Sequence, residues 1–323
     1  LFTMVRSPPL MREMIKFVVF NDEQIKQYKQ DGSKHLLPRL LERCDHFSDE
    51  ISVVTLRLFE AIIGKRAPEA LDWLVLRFLK DKSYHANNPG IEIDFYENVK
   101  STSTSRYKLS SIRSIYIITL LKWLLTKTNH CYTKVALHNI NMYNCFLSVS
   151  MYDGYLREAH RMYKDVCLNC RGFNWPKLSD NKLEPAERCE AVTNYDEGPF
   201  LRMLLNKLSK VLSQQYSVNL VVTSIASRLC LMPHPLMHEL FINPLTQLRP
   251  QARSMYTVVQ MVVEQILHRM NHIPNFKNRL IVARSVAQGV VTNNDIDTHK
   301  TFLEGTIVLE EFCKELAAIA FVK

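Results

Sequence analysis

The sequence predicts an all-α protein, and three observations carry that prediction. Glycine is scarce, 8 residues in 323, which disfavours sheet-and-turn folds. Apolar residues recur at three- and four-residue spacing along most of the chain, so they share helical faces. Prolines stand where those periodic stretches begin, at Pro8, Pro68, Pro199, Pro250 and Pro274, in first turns where a missing N–H costs nothing. The stretches are short, amphipathic and joined by tight turns. Such pairs stack into α-solenoids, each burying its apolar face on the next. No strict sequence period is present, so the expected architecture is an irregular α-solenoid of HEAT- or armadillo-like helical repeats. The length suits either two globular domains or one elongated array.

Residues 1–82 read as N-terminal helical repeats. Ser7 caps a helix in which Leu10, Met14, Phe17 and Val18 mark the buried face. A second helix covers about 35–44. A third opens on Ser48-Asp49-Glu50, with acidic side chains at the positive helix end, presents Ile51, Val54, Leu58 and Ile62, and stops at Gly64. The next runs from Pro68 through Leu71, Leu74, Val75 and Phe78. Residues 83–109 break the pattern with Asn87-Asn88-Pro89-Gly90 and Ser101-Thr-Ser-Thr-Ser105, and read as a long loop, ordered or not. Helices resume over 110–171. Residues 172–197 form a polar loop and the boundary between two halves. The block 198–323 carries the clearest helical signal: Phe200, Leu204, Leu208 and Val211 share a face, a helix follows over 218–232, and long helices are expected over 251–272 and from Pro274 to about 288.

The final stretch, Thr301–Lys323, organises the rest. Leu309, Phe312, Leu316 and Ile319 share one face, while Glu310, Glu311, Lys314 and Glu315 fall mostly on the other. Ile307, Val308, Cys313, Ala317, Ala320 and Phe321 widen the apolar arc beyond one stripe. A helix this apolar is expected to be packed between neighbours. Ala317, Ala318 and Ala320 would let another helix approach closely, and Gly305 is the one breaker near its start.

This block is also where a family becomes recognisable. Leu303–Lys323 resembles the C-terminal conserved block of the FHIP family, the Hook-interacting proteins. The resemblance continues upstream through Tyr216–Leu240, with its Pro233-His234-Pro235 and His238-Glu239, and takes in Arg253-Ser254 and Ile273-Pro-Asn-Phe276. A looser match covers Tyr152–His160 and Arg6–Leu79. The resemblance implies an α-solenoid subunit of a complex with FTS, an inactive ubiquitin-conjugating-enzyme-like protein, and with Hook coiled-coil adaptors for dynein. It implies a link to early endosomes through a Rab-family small GTPase, and hence a cytoplasmic protein peripheral on that membrane. It names no catalytic or binding residue. The 83–109 loop departs from the family pattern. The chain opens on Leu1 and stops at Lys323, so a fragment of a longer product is expected.

Composition and motifs weigh against catalysis. No phosphate-binding glycine loop or nucleophile elbow is present, and no carboxylate pair stands out as acid and base. Cys167-x-x-Cys170 lacks the second pair a zinc site needs, and the eight cysteines fit reduced buried thiols. His234 and His238, like His268 and His272, are four apart, but Pro235 favours a capping role for the first pair. No cofactor, metal or catalytic residue is assigned. The longest apolar run, Ile115–Leu125, contains Lys122 and is shorter than the about 20 residues a bilayer requires.

The net charge of +9 is uneven. From Asn98 to Tyr152 there is no acidic residue and the charge is +7. Lys100, Arg106, Lys108 and Arg113 lead this window and are the candidate contacts for an acidic partner or anionic membrane. Interleaved Tyr107, Tyr116, Trp123 and Tyr132 admit a second reading, a helical-repeat nucleic-acid-binding protein. The third is an ordinary solvated face over core aromatics.

Overall fold

A computed structural model of the chain describes residues 7–18, 36–86, 149–176, 195–244, 246–289 and 298–323. Within them lie eleven α-helices and no strand; one isolated antiparallel bridge joins His85 to Leu248. The helices are α1 (Pro8–Val18), α2 (Leu36–Cys44), α3 (Asp49–Gly64), α4 (Pro68–Leu74), α5 (Val149–Asn169), α6 (Pro199–Ser209), α7 (Tyr216–Cys230), α8 (Pro235–Phe241), α9 (Met255–Met270), α10 (Phe276–Ala287) and α11 (Lys300–Val322). The all-α class is as expected. The expected helical parts of 98–152 lie outside the described residues, apart from the start of α5.

Two helices hold the body together. α7 packs against α3, α6, α8 and α11, and α11 packs against α5, α7 and α10. Partners such as α3 and α7 are far apart in sequence, so the helices do not pack only with their chain neighbours. α11 runs about 35 Å as a single helix. Its face Leu309, Phe312, Leu316 and Ile319 is buried, and so are Ala317, Ala318 and Ala320.

Gly305 is not a breaker. It lies inside α11 at a close backbone approach: a Cβ there would stand 2.3 Å from the Val211 carbonyl oxygen and 2.9 Å from Leu212 Cα. The abutting turn is itself fixed. The buried Asn219 of α7 donates to the Val211 carbonyl at 2.8 Å and accepts from the Gln214 amide at 2.8 Å, and that amide also donates to the Lys207 carbonyl at 2.8 Å. Neither backbone can yield cheaply.

In the N-terminal part the buried faces differ from those expected. On α1, Ile15 and Val18 are buried whereas Leu10 and Phe17 are exposed. On α3 the core face is Ser52, Leu56, Phe59, Ile62 and Ile63, while Ile51 and Val54 face outward. Both helices carry apolar residues on two faces, so periodicity placed Val18 and Ile62 correctly but put Leu10, Phe17, Ile51 and Val54 on the wrong side. Ser52 and Thr55 fit the core because their hydroxyls donate to the carbonyls of His46 (3.2 Å) and Ile51 (2.7 Å).

Charged side chains tie the distant helices. Glu60 of α3 accepts from Ser224 and pairs with Arg228 of α7 at 3.4 Å. The buried Lys207 of α6 pairs with Asp45 at 2.7 Å, and its hydrogen bond holds that carboxyl below its usual range.

Gly305→Ala should destabilise the protein by about 1–3 kcal/mol in urea titration, because the added methyl meets main chain. Gly154→Ala in α5, where nothing lies within 4 Å of the new Cβ, should instead stabilise by about 0.5–1 kcal/mol. Equal responses would contradict the close approach at Gly305.

Candidate partner-docking surface

Of the residues singled out for chemistry, His234 and the described buried cysteines have structural roles. Lys100, Arg106, Lys108 and Arg113 lie outside the described residues. His234 stands at the N-cap of α8, where its Nδ1 accepts from the Leu236 N–H at 3.2 Å, with Trp175 edge-on at 5.4 Å. It is buried, and burial, with the nearby Lys80 charge, pushes its pKa down to about 4. The imidazole is therefore neutral, as a hydrogen-bond acceptor must be. His268 and His272 lie exposed at the end of α9, the His272 ring 2.9 Å from the His268 carbonyl. Cys44, Cys170, Cys230 and Cys313 are buried free thiols, and burial raises their pKa values to about 12, 11, 12 and 12. Thiols so placed stay protonated and inert. Among the described residues no three His, Cys, Asp or Glu side chains gather as a metal would require.

Two polar centres escaped sequence reading. In the first, Glu239 of α8 accepts from the Tyr84 hydroxyl at 3.1 Å, meets the His85 ring, and lies 3.9 Å from Lys82. Burial raises its carboxyl pKa, but His85, Lys82 and Tyr84 outweigh that and the net shift is downward. The main chain follows the same route: Arg249 N donates to Tyr84 O at 2.9 Å and Ala86 N to Gln247 O at 3.0 Å. This pins residues 82–86 to the segment before α9. No local spacing could signal it, because Tyr84 and Glu239 are 155 residues apart.

The second centre is the polar side of α11, expected to face away from the core. Lys314 is instead buried, with Nζ 2.9 Å from Glu310 and 2.8 Å from Glu311. Arg284 of α10 also reaches Glu310 and lies 3.7 Å from Glu311, while Tyr155 of α5 donates to Glu311. Burial pushes the Glu311 carboxyl up, and Lys314, Tyr155 and Arg284 more than reverse it. Glu315 turns toward α7, and burial raises its pKa against the pull of Ser227 and Arg228. At the helix end, Lys323 Nζ donates at 2.7 Å to both the Cys230 and Met232 carbonyls, closing the C-terminus of α7. Burial lowers that ammonium to about 8.

Two open grooves mark the surface. One, of about 520 Å³, lies between the 209–213 turn and α9, with Leu212, Met261, Glu264 and His268 in its walls. The other, about 390 Å³, is polar, and its charges are already engaged: Arg253 binds Glu197 and donates to Asn206 at 2.8 Å, and Arg202 pairs with Asp196 at 2.6 Å. Neither brings together a nucleophile, a base and an oxyanion donor set. What remains unpartnered is apolar. Phe47, just before α3, is 94% exposed, and on α3 itself Val54 is 69% and Ile51 40% exposed. This is the face that periodicity assigned to the core. A surface of this kind fits docking rather than catalysis.

Comparison with known proteins agrees in character. Three family models match in chain order: a retinoic acid induced 16-like protein family over residues 1–79, a family of unknown function, DUF5917, over 197–290, and the KELAA motif over 297–323. The last takes in Lys314-Glu315-Leu316-Ala317-Ala318, in the buried part of α11. An FHIP family protein of Nematostella vectensis is 30% identical over 163 residues, 46% of this chain and 18% of that protein. The FHF complex subunit HOOK-interacting protein 1A of Homo sapiens is 31% identical over 87 residues, 27% of this chain and 8% of its own length; the Mus musculus protein gives the same figures. The matched chain thus spans less than a fifth of these relatives. None of their names is that of an enzyme.

One pH dependence follows from His234. Its folded pKa lies below the unfolded 6.5, so the unfolded state takes up the proton first. Stability from the neutral ring is fully present above pH 6.5 and is lost as pH falls toward 4, by about 3 kcal/mol in total. His234→Asn keeps a capping acceptor without the titration. The stability difference between wild type and variant should therefore shrink from pH 7 to pH 4, and a constant difference would contradict the buried neutral cap. The resemblance read from the sequence is thus matched by homologues that are named as FHIP family and HOOK-interacting proteins.

Proposed function

We propose that the protein is a non-catalytic scaffold or adaptor subunit of an FTS–Hook–FHIP-type complex. In that role it links early endosomes to dynein for microtubule-based transport and endosome and lysosome trafficking. The observation that carries the reading is homology to proteins named as HOOK-interacting subunits of the FHF complex. The partners are a Hook coiled-coil adaptor, FTS and an endosomal Rab-family GTPase. The protein is cytoplasmic and peripheral on the early endosome. Among the described residues no helix is long and apolar enough to cross a membrane, which is compatible with that placement. Lys100, Arg106, Lys108 and Arg113 supply a cationic segment for an acidic partner or the anionic membrane face. The helices stack as an irregular α-solenoid, whose extended surface provides room for several partners. An all-helical body in which Cys44, Cys170, Cys230 and Cys313 are buried and the polar centres are internally paired supports a scaffold rather than a catalyst.

Co-expression with FTS and the C-terminal region of a Hook protein tests the reading by size-exclusion chromatography. The three should elute as one peak, with this chain or with the full-length gene product. If the full-length product is folded yet elutes apart from both partners, the reading is wrong.

A further inference from the structure

The exposed side of α10 carries cations and apolar residues together, and no acid. From Gln265 to Asn294 the sequence holds no Asp or Glu, while Arg269, Lys277, Arg279 and Arg284 give the stretch a charge of +4. Its described part is the second half of α9, the turn that follows and α10. α10 packs on α11 with Phe276 buried and Leu280 and Ala283 partly so. On the outward side Ile281 is 55% exposed and Val282 45%. Each lies one helical turn beyond an exposed polar residue, Lys277 or Asn278. Arg279 precedes Val282 by three residues, and its Nε donates to the Pro274 carbonyl at 3.1 Å. Arg284 instead turns inward to Glu310 and Glu311.

The outward cations stand where a helix least favours them. Lys277 and Arg279 lie in the first turn of α10, at the positive end of the helix dipole, with no acidic residue and no side-chain cap beside them. Among the described residues no carboxylate pairs with Lys277. No acidic residue on the helix offsets that arrangement; an external anion would. The apolar pair selects the kind of anion. Ile281 and Val282 add nothing to the binding of a free phosphate. A nucleic acid would be gripped by exposed aromatic rings among the cations, and the one Phe, Tyr or Trp between Gln265 and Asn294 is the buried Phe276. Cations beside exposed branched aliphatic side chains match a bilayer, which offers phosphates at its surface and acyl chains just beneath. We propose that the outer face of α10 docks on an anionic phospholipid bilayer, with Lys277 and Arg279 at the headgroup phosphates and Ile281 and Val282 at the acyl boundary. This surface gives the lipid class for the peripheral membrane placement proposed above, and rests on that placement. Two aliphatic side chains insert shallowly, so the binding is weak, set mostly by charge and sensitive to salt.

Flotation of the purified chain with lipid vesicles provides the test, phosphatidylcholine alone against phosphatidylcholine with about 30 mol% phosphatidylserine. The wild type should float with the anionic vesicles only, and about 0.5 M salt should release it. Lys277→Glu should weaken the binding by about tenfold. Ile281→Ser combined with Val282→Ser should weaken it by about fivefold or more. Lys277, Ile281 and Val282 are exposed, so both variants should keep the helical circular dichroism of the wild type. Both should also still elute with FTS and the Hook protein, which separates this surface from assembly of the complex. A wild type that ignores anionic vesicles overturns the proposal. So does equal binding by wild type and both variants, which would leave the contact to the basic segment around Lys100 and Arg113. Loss of the complex in place of vesicle binding would make α10 a protein-docking face, and retention of single-stranded RNA that the same variants abolish would make it a nucleic-acid surface; either result also overturns it.

Discussion

The structure depends on one close approach. Gly305 lets α11 lie with its backbone against the turn that follows α6, at a distance no side chain would permit. That contact seats α11 between α5, α7 and α10 and decides much else. A helix enclosed on several sides cannot leave its polar residues to water. Lys314, Glu310, Glu311 and Glu315 must find partners inside, and they do so through Arg284, Tyr155 and the α7 end. A buried charge without a partner costs several kcal/mol. The motif Lys-Glu-Leu-Ala-Ala is accordingly a joint, with its lysine held by two carboxylates, its glutamate turned to α7, and its small residues at helix contacts.

The second constraint is connectivity across long gaps in sequence. α3 packs along α7, where Glu60 meets Ser224 and Arg228, and its buried Phe59 lies against Phe200 of α6. Residues 82–86 reach the segment before α9 through Glu239 and two main-chain hydrogen bonds. Lys323 closes α7 from the far end of α11. These ties make the N-terminal and C-terminal helices one packed body with one apolar core.

Much of the fold was legible in the sequence. Helix class, most helix positions, the enclosed final helix and the face Phe200, Leu204, Leu208 and Val211 follow from periodicity and from proline positions. What periodicity could not resolve was which of two apolar faces enters the core. On α3 the inward face includes Ser52 and Thr55, whose hydroxyls are satisfied by nearby carbonyls, so a polar-looking face is buried and an apolar one is left outside. Nor could spacing identify Gly305, because a glycine within a helical stretch carries the same letter whether it breaks the helix or admits a neighbour. Glu239 and its partners were hidden by the 155 residues between Tyr84 and Glu239. The role of His234 was legible, because a histidine followed by proline at a helix start has few alternatives.

α11 is the structural centre of the body, and native-state hydrogen exchange measures that directly. Amides of α11 and α7 should exchange only through global unfolding, with the slowest rates in the protein, while those of α10, where Phe276 alone is buried, should open by local fluctuation. If the amides around Leu309–Ile319 exchange as readily as those of α10, α11 is not the element that holds the body together, and the central claim fails.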